Sequence, residues 1–345
     1  LADRGLIGYD VPVAEYWPAF AANGKAGVTV RELMRHRAGL SHLRGVRKRE
    51  LLDHQHMEER IAAAPVGKHF GKSAYHAITY GWLLSGLARA VTGQGMRDLF
   101  RTELAEPLGV DGLHLGRPSE DAPTQPAQII GPQFRIRNPL FDAVAPHVAA
   151  LPFSGGFGSM YFTGMRSMAQ GDTPLLDSEM PGANGVATAR ALGRVYGAIA
   201  NGGHVMTPFL VDQIRTADGK LVFQSVPKVR PDLEPILTTD RQRIHQGLLG
   251  VVNQELGTAY SERPEHVLVA GKTGTAQVGA SDRTGPRAAT LEGFDISQDH
   301  AWFAAYAPAD DPQITVVAFV EHGGVGADAA APIVMKVIEY HLAKL

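Results

Sequence analysis

A chain of 345 residues with 44% hydrophobic content can fill one large two-lobed domain or two modest ones. Its 33 basic residues against 35 acidic ones leave a net charge of -2 without any block of like charge. That balance excludes an electrostatic footprint for nucleic acid or an anionic membrane and suits small neutral or zwitterionic partners. With no cysteine, disulfides, thiolate metal sites and cysteine nucleophiles are excluded too.

In chain order, residues 1 to 116 read as mainly helical. Leu1 to Gly5 has the character of a helix end and not of a start. Thr29-Val30-Arg31-Glu32 forms a capping box, with Leu33 following and Gly39 placed to end the short helix. A second helix is predicted to start near His76 and carry Trp82, Leu83 and Leu87 inward. A third, from about Gly95 to Leu104, shows Met96, Leu99, Phe100 and Glu103 in a 3.6 period, and Pro107 is expected to stop it. From Gly116 to Gly158, dense proline and glycine predict long loops. Ala187 to Ala200 is predicted helical, with Leu192, Val195, Tyr196 and Ile199 on one face and Asn201-Gly202-Gly203 closing it.

The remainder changes character. Thr239-Asp240-Arg241-Gln242 reads as another capping box, opening a helix with Ile244, Leu248 and Val251 on one face. Three strands follow: Val267 to Val278, Ala301 to Ala307 and Ile314 to Val320. The last is apolar at nearly every position, as in a strand covered on both faces. A closing helix from about Ala329 to Leu342, with Asp328 at its N-cap, supplies one cover. The longest apolar runs, such as Val316 to Val320, fall far short of the roughly 20 residues that span a bilayer.

Lys272-Thr273-Gly274 inside the first of these strands is the main chemical signal, because Lys-Thr-Gly is a signature of serine enzymes that recognise penicillin. Their nucleophile is the serine of a Ser-x-x-Lys helix. Here that pattern occurs only at Ser225-Val226-Pro227-Lys228, with a proline where a helix is needed. Other candidates read more plainly. His54-Gln55-His56, beside Glu58 and Glu59, fits a solvated helix face better than a metal site, and no metal or cofactor is expected. Ser154 and Ser159 lie in a glycine-rich run that is not Gly-x-Ser-x-Gly. Asp310 and Asp311, before Pro312, read as a turn.

Two resemblances follow from longer stretches. From about Ala198 to Leu345 the chain resembles the C-terminal half of an elongation-type class B penicillin-binding protein, a cell-wall transpeptidase. The matching stretches include Asn201-Gly202-Gly203, Met206-Thr207-Pro208, Gly250-Val251-Val252-Asn253, the Lys-Thr-Gly strand and His300-Ala301-Trp302-Phe303. Residues 1 to about 196 resemble class C β-lactamase-type esterases, through Leu6 to Pro18, Gly24-Lys25, His36-Arg37-Ala38-Gly39-Leu40 and Tyr75-His76-Ala77. The implied fold is α+β and β-lactamase/transpeptidase-like, a helical lobe (residues 1 to 200) plus an antiparallel sheet with flanking helices (201 to 345). The N-terminal strands and the Ser-x-x-Lys helix are expected upstream of Leu1, which leaves the edge of Ile314 to Val320 bare and open to self-association.

By resemblance, Tyr75 is a proton relay and Lys272 binds a substrate carboxylate and assists proton transfer, both around one serine. Thr273 offers a hydroxyl, Gly274 lets substrate approach the strand, and the Thr275 N–H is an oxyanion-hole donor. Ala77 stands where the family's Tyr-x-Asn carries asparagine, which tilts the implied substrate from β-lactams and D-Ala-D-Ala peptides toward esters. The partners implied are therefore a small molecule or peptidoglycan peptide. A second reading stays open: a catalytically silent binding module, or a hybrid of two family branches. Localisation follows the branch, in the cell envelope for a transpeptidase and the cytoplasm for an esterase.

Overall fold

A computed structural model describes residues 1–43, 46, 48–76, 79–125, 185–230, 239–276, 290–291, 294–295 and 298–344. The described elements in chain order are α1 Val13–Tyr16, α2 Val30–Met34, α3 His54–Ala63, α4 Thr79–Thr92, α5 Met96–Phe100, α6 Glu106–Leu108, β1 Leu113–Leu115, β2 Gly185–Ala187, α7 Ala189–Ala200, β3 Gln213–Arg215, β4 Leu221–Gln224, α8 Arg241–Asn253, β5 Ala270–Ala276, β6 Thr290–Leu291, β7 Phe294–Asp295, β8 His300–Ala307, β9 Ile314–Val320, α9 Gly326–Ala329 and α10 Ala331–Leu342. The chain divides into two units. One holds residues 1–102, 111–187 and 276–299, and the other 103–110, 188–275 and 300–345.

In the first unit the Thr29 capping box forms. The Thr29 hydroxyl accepts from the Glu32 N–H at 3.2 Å, and the Glu32 carboxylate accepts from the Thr29 N–H at 3.1 Å. The helix does not run to Gly39. It ends at Met34, and His36 turns the chain at φ 60. Gly39 serves a close approach instead, since a Cβ there would lie 2.9 Å from the Phe70 Cα.

Helix α3 is capped at both ends. The Asp53 side chain accepts from the His56 N–H at 3.0 Å. At the far end the Asn23 amide donates to the Ala63 carbonyl at 2.8 Å, and the buried Lys25 ammonium donates to the carbonyls of Ala64 and Ala22. A cation on terminal carbonyls complements the helix dipole. His56 is exposed and meets the Glu50 carboxylate, but Glu58 does not share that solvated face. It is 3% exposed, accepts from the Ser85 hydroxyl and pairs with Arg89 Nε at 2.6 Å, clamping α3 to α4.

Helix α4 is described from Thr79, residues 77 and 78 lying outside the described residues; the Tyr80 N–H bonds the His76 carbonyl at 3.0 Å, in keeping with a helix start near His76, and the helix buries Trp82, Leu83 and Leu87 as the pattern predicts. Pro107 does not stop the next helix. The path continues from α5 through a π-helical turn, Arg101–Ala105, into α6, where Pro107 sits in the first turn and owes no hydrogen bond. Gly109, at φ 60, ends it. The short antiparallel pair β1–β2 had no expected counterpart, having only three residues a side. Most of the loop predicted over Gly116 to Gly158, with Ser154 and Ser159, lies outside the described residues.

The second unit holds the sheet that positions the site. Its order is β5-β8-β9, and β8 and β9 are antiparallel, from Ala301 opposite Val320 to Ala307 opposite Ile314. Phe303 and Ala305 pack with Val334, Met335 and Ile338 of α10, while Tyr306 packs with Ile199 of α7. Alternate residues of a strand point to opposite faces, so the two helices cover opposite sides. The sheet strand β5 is described to Ala276, short of the expected Val278; residues 277 and 278 lie outside the described residues. Strand β9 has the expected bounds. Its residues are half-buried and Phe319 is 44% exposed, since among the described residues β9 pairs only with β8.

Helix α7 is capped by Thr188, whose hydroxyl accepts from the Ala191 N–H at 3.1 Å. It closes in a Schellman motif: the Gly203 N–H bonds the Ala198 carbonyl at 2.7 Å and the Gly202 N–H bonds that of Ile199 at 3.3 Å. Helix α8 departs from its expected capping box. Asp240 is its N-cap without a side-chain cap bond, and its carboxylate pairs with Arg243. Its deepest residue is Val252, while Ile244 is 37% exposed, so the buried face is rotated by one position. Asp328 is not the cap of the closing helix either: it lies within α9, and α10 starts after Ala330 with Pro332 in its first turn. The Asp310-Asp311 stretch is a turn, as predicted.

Candidate active site

Strand β5 carries Lys272, Thr273, Gly274 and Thr275 at the edge of the sheet. Two glycines let it lie close on β8. A Cβ at Gly271 would stand 2.8 Å from that of Ala305, and one at Gly274 would stand 3.2 Å from that of Trp302. Both close approaches leave the strand edge open to solvent, where Lys272 and Thr275 are exposed.

The Lys272 ammonium donates to the Thr273 carbonyl at 2.8 Å and approaches its hydroxyl at 3.4 Å. Surrounding protein partly desolvates it and lowers its pKa below the ordinary lysine value, although the side chain keeps contact with water.

Thr258, which sequence reasoning missed, meets Thr273 hydroxyl to hydroxyl at 2.9 Å. Its loop is set by Gly257, where a Cβ would lie 2.4 Å from the carbonyl oxygens of Gly250 and Val251. The Gly257 N–H bonds the Gln254 carbonyl at 2.8 Å, and the Ala259 N–H bonds that of Val251 at 3.0 Å. Asn253 ties α8 to the approach of β5, its amide donating to the carbonyls of Leu249 and Val269 at 2.8 Å each. Between α8 and Lys272 runs an open groove of about 320 Å³, with Gly247, Gly250 and Gln254 along its side. The signal that could have found it is the glycine spacing on one face of α8.

Tyr75 belongs to the first unit and is 74% exposed, with its ring 5.0 Å from that of His36. No described hydrogen bond has it capping α4. Its position is fixed by its neighbour. The buried His76 donates through Nδ1 to the Ala74 carbonyl at 2.6 Å and accepts the Leu40 N–H on Nε2 at 3.0 Å. Burial pushes its pKa down to about 4, so the imidazole is neutral at pH 7. Around it the backbone closes like a zip: the Ala74 N–H bonds the His36 carbonyl and the Gly71 N–H that of Arg37, each at 3.0 Å. The Thr79 hydroxyl adds a bond to the Leu40 carbonyl at 2.7 Å. The buried histidine is structural, whereas the Tyr75 ring beside it is exposed.

Ser225 has extended backbone and donates its hydroxyl to the Val211 carbonyl, so the Ser225–Lys228 pattern is not a helical nucleophile and lysine pair. Among the described residues no group of three or more His, Asp or Glu is placed to hold a metal.

A sheet edged by Lys-Thr-Gly and covered by helices on both faces is the architecture of penicillin-recognising serine enzymes, and comparison with known proteins bears this out. The β-lactamase family matches residues 1–229 and the penicillin-binding protein transpeptidase domain matches residues 182–339. The chain belongs to the β-lactamase family, within the penicillin-recognising serine enzyme superfamily, and carries both parts. It is 65% identical over 205 residues to the esterase/beta-lactamase LipL of Mycobacterium tuberculosis, covering 59% of this chain and 48% of that one. It is 34% identical over 157 residues to the peptidoglycan D,D-transpeptidase MrdA of Haemophilus influenzae, covering 45% of this chain and 24% of that one. The chain therefore spans about half the length of the first relative and a quarter of the second. Among solved structures, a penicillin-binding protein homolog from Caulobacter crescentus shares the fold, with a TM-score of 0.54 over 100% of this chain and 79% of that one at 24% identity.

Proposed function

We propose that this chain supplies the Lys-Thr-Gly strand and the tyrosine relay of a serine acyl-transfer enzyme that hydrolyses esters. The observation that carries the reading is the 65% identity over 205 residues to LipL, a protein described as an esterase/beta-lactamase, and Tyr75 lies within the β-lactamase family match at residues 1–229. Ala77 in place of an asparagine supports esters over β-lactams and peptides. In this reading the serine forms an acyl-enzyme and water releases the acid. Tyr75 relays the proton, Lys272 holds a substrate carboxylate and assists transfer, Thr273 offers its hydroxyl, Gly274 admits the substrate backbone and the Thr275 N–H is one oxyanion donor.

The nucleophile in this reading lies outside residues 1–345, because the single Ser-x-x-Lys present is extended. Intact mass after incubation with a fluorophosphonate tests it. Residues 1–345 are expected to stay unlabelled, and the product of the coding sequence extended upstream is expected to be labelled once, on a Ser-x-x-Lys serine. In the extended protein, Tyr75→Phe and Lys272→Met should each lower kcat for p-nitrophenyl butyrate by about 100-fold or more. A stoichiometric adduct on residues 1–345 alone would overturn the placement of the nucleophile. Full activity in both variants would overturn the roles of Tyr75 and Lys272.

A further inference from the structure

Helix α7 places Arg190 and Arg194 one turn apart, so the two side chains share a face. Arg230 follows the β3–β4 hairpin, its backbone N–H bonded to the Val205 carbonyl at 2.8 Å. The three arginines form no block of like charge in the sequence, yet all belong to the second unit and act on one another there. Their meeting point is Gly109. A Cβ at that residue would lie 3.6 Å from Arg230 Nη1 and 4.0 Å from Arg194 Nη2, so both guanidinium groups reach the same spot. At φ 60 the backbone there favours glycine, and the spot stays free of a side chain. Arg194 is the unbalanced member. Its Nε and Nη2 are buried, and among the described residues neither meets a hydrogen-bond acceptor. Burial, and then the charges of Arg230 and Arg190, lower its pKa below the ordinary arginine value, and no carboxylate among the described residues acts on it in the opposite sense. An arginine stays charged even so, and buried donors left unpaired are costly. The partner that fits is an oxyanion. A carboxylate carries one charge and two oxygens, which a single guanidinium fork satisfies; a phosphate monoester carries a charge of about -1.5 to -2 and three strong acceptor oxygens, enough for two forks at once.

We propose that Arg194, Arg230 and Arg190 form a binding site for a phosphate group beside Gly109. The forks of Arg194 and Arg230 hold its oxygens, and the exposed Arg190 adds its charge from the solvent side. None of these residues lines the groove along β5, so the site is additional to the Lys-Thr-Gly edge and does not depend on the proposed ester hydrolysis.

Equilibrium dialysis of residues 1–345 against radiolabelled inorganic phosphate, at an ionic strength of about 0.15 M, tests this by binding alone. One phosphate per chain is expected, with acetate competing at least about tenfold more weakly. Glycerol 3-phosphate as a competitor distinguishes the source: displacement as strong as by phosphate itself points to a phosphorylated small molecule, and weaker displacement to inorganic phosphate. Arg194→Met should weaken phosphate binding by about tenfold or more, and Arg190→Met, at an exposed position, by about threefold. Lys336→Met, which removes the same charge from α10, should leave it unchanged. Without phosphate, Arg194→Met should unfold at or above the original temperature, because it removes a repelled charge and two unpaired donors. No saturable uptake, equal competition by acetate, unchanged binding in both arginine variants, or equal weakening by Lys336→Met would each overturn the site. So would a lower unfolding temperature in Arg194→Met when the unmodified chain binds no phosphate, a result that would assign the arginines to the carbonyl end of α6.

Discussion

His76 shows how one buried side chain governs a larger neighbourhood. Its two nitrogens are both satisfied by backbone in the neutral form, one donating and one accepting, so protonation would set an N–H against the Leu40 N–H. The folded pKa of about 4 lies below the ordinary 6.5, so the unfolded chain binds the extra proton first. The stabilisation is fully present above pH 6.5 and is lost as the pH falls toward 4, by about 3 kcal/mol in all. The pKa values of His36 and His42 in the same unit are lowered by burial as well, which adds to the loss in the same direction. Urea unfolding at a series of pH values should show stability rising through this window, and His76→Gln should flatten the rise. Lys25 is the second such residue. Its ammonium holds two carbonyls with no water contact, so Lys25→Met should cost about 1–3 kcal/mol for each carbonyl left bare, read as a lower midpoint in urea.

At the scale of elements, the first unit depends on the clamp between α3 and α4. Glu58 is buried with a hydroxyl and a guanidinium as partners, so Arg89→Met leaves a charge without its counterion and should destabilise the protein by about 3–5 kcal/mol. The double variant Glu58→Leu/Arg89→Met should recover most of that loss, because no buried charge then remains. A double variant as unstable as Arg89→Met alone would assign the effect to packing of the arginine stem. In the second unit the corresponding element is the loop from Gln254 to Ala259. Gly257→Ala would drive a methyl into two carbonyl oxygens, so the loop must shift and take Thr258 away from Thr273. A loss of about 1–3 kcal/mol is expected, read as a lower midpoint in urea.

For the whole molecule, the decisive feature is strand β9, which among the described residues pairs only with β8. Six of its seven residues are apolar, and beside it α10 exposes Ile333, Val337 and Tyr340 at a spacing that puts them in one stripe. Edge strands of this kind pair with further strands unless they are covered. Residues 1–345 alone are expected to self-associate with concentration in sedimentation, and Val337→Glu, on an exposed position, should return them to monomer. A monodisperse monomer whose β9 amides resist hydrogen exchange would show that the edge is already covered.

The amino-acid pattern by itself determined the elements whose signals are local. The Thr29 capping box, the glycine closure of α7, the buried face of α4 and strands β8 and β9 all follow from hydrogen bonds or periodicities within a dozen residues and appear within a residue of where the pattern puts them, while β5 begins at Ala270 and not at Val267. Lys-Thr-Gly, read in the context of neighbouring strands, was enough to point to the superfamily. Only the tertiary structure decided which polar residues are structural. Glu58 reads as solvated, but Arg89 and Ser85 on another helix draw it inward; Gly39 reads as a helix stop, but Phe70 makes it a point of close approach. Pro107 reads as a barrier, but the widened turn before it leaves no hydrogen bond to break. Thr258 carries no local signal at all, and the glycine spacing of α8 gains its meaning only from β5 lying beside that helix. Contacts between residues far apart in sequence depend on the path of the whole chain, and a one-dimensional pattern records only what each segment prefers.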